Sequence, residues 1–64
     1  MYEVLRKTRQ EKGISCRQMG IIIGCNKASY SKKERGIAPV SLQEAQKISI
    51  VLGESIDKLF KLPS

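Results

Sequence analysis

The sequence predicts an all-α fold, a compact bundle of about five short helices forming one domain over residues 1–64. Three observations lead there. Serine or asparagine stands just before each of four helical patterns, at Ser15, Asn26, Ser41 and Ser55, where a side-chain oxygen can cap the first free backbone N–H groups. Glycine follows the first four patterns, at Gly13, Gly24, Gly36 and Gly53, as a residue just past a helix end does. No segment alternates apolar and polar residues over the length of a strand.

The first helix is expected from about Tyr2 to Lys12, with Met1, Leu5, Thr8 and Lys12 at the helical step and Val4 widening the stripe. Ser15 caps the second helix. Gln18 completes a capping box with it, and Ile14 with Met19 supplies a hydrophobic staple. Asn26 opens the third helix, which ends near Arg35 and has Cys25 and Tyr30 as its staple. Ser41 and Glu44 form another capping box, opening a fourth helix that runs to about Leu52. Its inward stripe is Leu42, Ala45, Ile48, Ser49 and Leu52. A short fifth helix follows Ser55, with Ile56 and Leu59 inward.

Sixty-four residues, 41% hydrophobic, can build a small core but cannot enclose a sizeable active-site cavity. Twelve basic residues against six acidic ones leave a net charge of +6, which favours a polyanionic partner, nucleic acid before membrane. There is no histidine, and Cys16 and Cys25 fit no metal-ligand spacing, so neither a metal nor another cofactor is expected. The same absences, with no paired-carboxylate motif, argue against an enzyme. No span approaches the ~18 consecutive apolar residues of a transmembrane helix. The first residues lack the apolar core of a signal peptide, so a cytoplasmic location is expected.

From Ser15 to Arg35 two short helices meet at a glycine turn, the layout whose second helix enters a DNA major groove. At about 100° per residue, Lys27, Ala28, Ser31 and Lys32 share one outward arc while Tyr30 and Glu34 turn the other way. Small residues at Ala28 and Ser29 let the backbone approach base edges, and Ala28 suits a thymine methyl. Lys27 and Lys32 can donate to guanine acceptors or to phosphate. Base contacts are therefore expected from Lys27, Ala28, Ser29, Ser31 and Lys32; the alternative is a merely solvated basic face.

The run from Leu5 to Phe60 resembles the Cro/repressor-type (XRE) helix-turn-helix domains of phage repressors and bacterial regulators. The resemblance rests on Leu5-Arg6, Arg9, Gly13-Ile14-Ser15, Met19, Ile23-Gly24, Tyr30-Ser31, Glu34-Arg35-Gly36, Ser41-Leu42, Ile48, Leu52-Gly53 and the run Ser55 to Phe60. It implies a lambda-repressor-like bundle that binds operator DNA, usually as a dimer. It also implies an internal ion pair between Arg9 and Glu34. Phosphate contacts are expected from Lys7, Ser15, Arg17, Arg35 and backbone amides near Ile37.

Four departures from the family pattern stand out. Cys16 replaces the usual glutamine, and a thiol is a weak donor for a phosphate clamp. Lys33 replaces an apolar residue, and its ammonium is expected in solvent with its stem along the core edge. Pro39 comes one place early in the loop after the third helix. Ile21 and Ile22 occupy usually polar positions, covered either by neighbouring side chains or by a protein partner. An apolar patch of Ile37, Val40, Ile50, Phe60 and Leu62 is the expected dimer surface. The expected function is sequence-specific binding of double-stranded DNA by a small transcriptional regulator, a repressor acting as a homodimer. The rival is a protein-interaction module on the same fold, antitoxin-like or an anti-regulator.

Overall fold

Local capping chemistry starts four of the five helices. In a computed structural model, which describes residues 1–61, the chain forms α1 (Glu3–Glu11), α2 (Cys16–Ile23), α3 (Lys27–Glu34), α4 (Leu42–Leu52) and α5 (Ile56–Leu59), with no strand among those residues. The Ser15 hydroxyl oxygen accepts from the Gln18 N–H at 3.0 Å, and the Ser15 N–H donates to Gln18 Oε1 at 2.8 Å. Ser41 and Glu44 repeat that box at the start of α4. Asn26 Oδ1 caps α3 through the Ser29 N–H, and Ser55 Oγ caps α5 through the Lys58 N–H. The first helix starts differently. Tyr2 lends no side-chain cap, but its N–H donates to the Glu34 carbonyl at 3.0 Å, tying the start of α1 to the end of α3.

Every helix contributes to one core: Leu5 from α1, Met19 and Ile23 from α2, Tyr30 from α3, Ile48 and Leu52 from α4, and Leu59 from α5. Removing this apolar surface from water is the main force holding such short helices together. Ile14, Cys16, Ile22 and Cys25 pack around the cluster. The Tyr2 and Phe60 rings close its edge in a T-shaped contact, centroids 5.1 Å apart.

Several expectations are corrected here. The buried positions of α1 are Leu5 and Arg9, whereas Met1, Val4 and Lys12 are exposed. The inward stripe is turned because one of its members is a charged residue, invisible to hydrophobic periodicity. On α4 the buried arc centres on Ala45, Ile48 and Leu52, which leaves Leu42 at its edge and 67% exposed. Ile22 packs against the core, so only Ile21 of that pair projects outward, at 69% exposed. The Lys33 ammonium is not in open solvent. It donates to the Pro39 carbonyl at 3.0 Å and to Glu44 Oε1 at 3.1 Å, bracing the loop between α3 and α4.

Gly20, inside α2, sets the spacing of the two helices around the turn. A Cβ there would stand 2.9 Å from the Cys25 carbonyl oxygen and 3.0 Å from that of Asn26. The turn backbone lies directly on the helix, and the Cys25 N–H donates to the Gly20 carbonyl at 2.7 Å. Gly24, with φ 86°, supplies the left-handed residue that reverses the chain between them. No helix among the described residues is long and apolar enough to cross a membrane.

Candidate nucleic-acid interface

α3 is a two-faced rod. Lys27, Ala28 and Lys32 are exposed and Ser29 and Ser31 half-buried, while Tyr30 and Glu34 are buried. The inward face is fixed by a bidentate ion pair. Arg9 Nε donates to Glu34 Oε2 at 2.8 Å and Arg9 Nη2 to Glu34 Oε1 at 3.1 Å. Arg9 Nη1 donates to the Ile14 carbonyl at 2.7 Å, so one guanidinium joins α1, the segment before α2 and the end of α3. The bond from Glu34 raises the pKa of Arg9 against the opposing effect of burial. Beside this pair the Tyr30 hydroxyl is buried with no hydrogen-bond partner among the described residues. Burial pushes the Tyr30 phenol well up, and the neighbouring Glu34 carboxylate adds to that rise.

The electrostatics of the opposite face are one-sided. Residues 12–33 contain Lys12, Arg17, Lys27, Lys32 and Lys33 and no carboxylate. Of these cations, Lys33 is engaged by Glu44, leaving the others to set the field around α2 and α3.

The residues expected to meet phosphate are dispersed. Ser15 and Arg17 are exposed at the start of α2, and the Ser15 hydroxyl, which accepts from Gln18, keeps its own O–H to donate. Arg35 is exposed at the end of α3, and its Nε donates to the Ser31 carbonyl at 3.3 Å. The Ile37 amide is already used. It donates to the Lys32 carbonyl at 2.9 Å, and the Ala38 amide shares that acceptor at 3.2 Å, both closing the end of α3. Lys7 lines a depression with Val4, Glu11, Glu54 and Lys58, between α1 and the α4–α5 turn, to which neither α2 nor α3 contributes. Among the expected phosphate contacts, the Ile37 amide thus has an acceptor within the fold, and Lys7 lies on α1 near Glu11.

One member of this surface was missed from the sequence. Asn26 Oδ1 accepts from Ser29, but its NH2 has no acceptor among the described residues and is free to donate outward. A cap residue carrying two further donors was the available signal.

The expected dimer residues include both exposed and half-buried side chains. Val40 and Phe60 line a depression with Tyr2, Leu42 and Ile56, and Phe60, half-buried, meets the Tyr2 ring edge to face. Ile50, 81% exposed on α4, does not line that depression, and Ile37 projects from the loop after α3. Leu62 lies outside the described residues. No group of three or more His, Cys, Asp or Glu side chains suited to a metal ion occurs among the described residues.

A family model described as helix-turn-helix matches residues 5–59. The chain is 39% identical over 59 residues to the SPbeta prophage-derived HTH-type transcriptional regulator YonR of Bacillus subtilis, itself uncharacterized. That match covers 92% of this chain and 55% of YonR. It is also 35% identical over 54 residues to a protein of Aeropyrum pernix named as an HTH-type transcriptional regulatory protein, covering 84% of this chain and 16% of that one. The chain thus spans about half the length of one relative and about a sixth of the other. No solved structure gives a significant match. The matched span takes in α1 from Leu5 onward through Leu59 at the end of α5, and the chain belongs to the Cro/repressor-type (XRE) helix-turn-helix family.

Proposed function

We propose that this chain binds operator DNA as a transcriptional regulator, a repressor, with α3 in the major groove. The observation that carries the reading is the two-faced α3: its inner side is locked by the Arg9–Glu34 pair, and its outer side shows Lys27, Ala28 and Lys32 to solvent within a stretch, residues 12–33, that contains no carboxylate. Lys27, Ala28, Ser29, Ser31 and Lys32 read base edges. Ser15, Arg17 and Arg35 hold flanking phosphates and set the register. A homodimer would place two copies of α3 in successive major grooves, roughly 34 Å apart. Exposed Ile50 and the depression at Val40 and Phe60 are the surfaces available for that contact.

Selection of sites from a random duplex pool, followed by titration over a range of salt, tests this. A palindromic consensus, and affinity falling linearly on a log–log salt plot, is the expected result. Equal binding to all duplexes at moderate ionic strength overturns it. A protein-interaction role on the same fold draws support from exposed Ile21, and it predicts no salt-dependent binding to duplex DNA.

A further inference from the structure

Ile21 stands on the outer side of α2, 69% exposed, and lies in a shallow concavity with Arg17, Gly24, Cys25, Asn26 and Lys27. The floor is apolar and the rim is not. Arg17 sits one turn before Ile21 on α2, and Asn26 and Lys27 begin α3 on the other side. The Asn26 NH2 is free to donate, and no carboxylate occurs anywhere in residues 12–33. An apolar spot between cationic and N–H donors matches the repeat of a nucleic-acid strand, in which a sugar separates two phosphates. A protein partner matches less well. A single aliphatic side chain is far short of the roughly 800 Å² per partner that a stable interface buries, and its would-be neighbour Ile22 is turned into the core.

We propose that Ile21 packs against a deoxyribose of the bound duplex, with Arg17 on the phosphate to one side and Asn26 on the phosphate to the other. This rests on the DNA-binding reading above. Ile21 then supplies affinity without sequence preference and without counterion release, because it neutralises no charge.

The test compares wild type, Ile21→Ala, Ile21→Asp and Arg17→Ala on the selected operator and on unrelated duplexes across a salt series. Ile21→Ala is expected to weaken binding to every duplex by the same factor, about fivefold for the apolar surface lost, with the wild-type salt slope. Ile21→Asp weakens it further, and Arg17→Ala lowers the salt slope by about one. An unchanged melting temperature for Ile21→Ala shows that the loss lies in the interface. Wild-type affinity in Ile21→Ala, beside strong salt-dependent binding by the wild type, overturns the inference alone. A loss confined to certain sequences overturns the sugar contact in favour of a base methyl. Absence of duplex binding by the wild type overturns the DNA-binding reading and the inference with it.

Discussion

Arg9 and Glu34 are 25 positions apart in the chain and share two hydrogen bonds at 2.8 and 3.1 Å, with their side chains only 9% and 5% exposed. The pair holds the first helix against the last turn of α3. Breaking it leaves a charge in a place water hardly reaches. Glu34→Ala is expected to lower stability by about 3–5 kcal/mol. In a domain of this size, each kcal/mol is about 4–8 °C of melting temperature. Thermal unfolding followed by circular dichroism checks this, and a shift within error would mean that the pair contributes nothing.

Tyr30→Phe works in the opposite sense. The hydroxyl is buried with no hydrogen-bond partner among the described residues, so its removal deletes a polar group left unsatisfied there and keeps the ring in place. The melting temperature is expected to hold or rise. A fall of several degrees would show that the hydroxyl is bonded in solution.

Gly20→Val inserts three carbons where even a Cβ would meet the Cys25 and Asn26 carbonyl oxygens at 2.9 and 3.0 Å. Overpacking of this kind costs about 1–3 kcal/mol. Because α2 must move off the turn, operator affinity is expected to fall along with the melting temperature. Native affinity in a folded Gly20→Val protein would show that the spacing does not matter to binding.

The Glu44 carboxylate is held below its ordinary value, chiefly by the Ser41 backbone N–H and further by Lys33, while burial opposes the shift. A depressed folded value means that the contribution is fully present above the unfolded value, 4.5, and is lost as pH falls through the lower folded value. The stability advantage of wild type over Glu44→Gln should therefore shrink in acid. An advantage that stays constant down the pH scale would contradict the assignment.

Lys32→Ala tests base readout directly. If Lys32 reads a base, the variant loses about 1–3 kcal/mol on the operator and relaxes one position of the consensus. A uniform loss on all duplexes would place Lys32 on phosphate instead.

What was legible in the sequence follows from range. The boxes Ser15–Gln18 and Ser41–Glu44 are three-residue events and stand in the structure as their spacing demands. Arg9 was assigned to an ion pair only through family resemblance, because hydrophobic periodicity passes over a buried cation. Lys33 found its partner eleven positions away on another helix, a contact no local pattern reports. Leu42 misled because an apolar first residue of a helix carries no mark of which side of the inward arc it falls on. The Ile37 amide likewise finds its acceptor in the helix end just before it, a bond that side-chain patterning does not report. Gly20 went unremarked within an apolar run, where a missing side chain gives no signal.

Because Gly20 brings main chain against main chain, the closeness of α2 to the turn is set by backbone atoms and not by a side chain at that position. Any larger residue at position 20 would have to lift the helix off the turn, whichever rotamer it adopted.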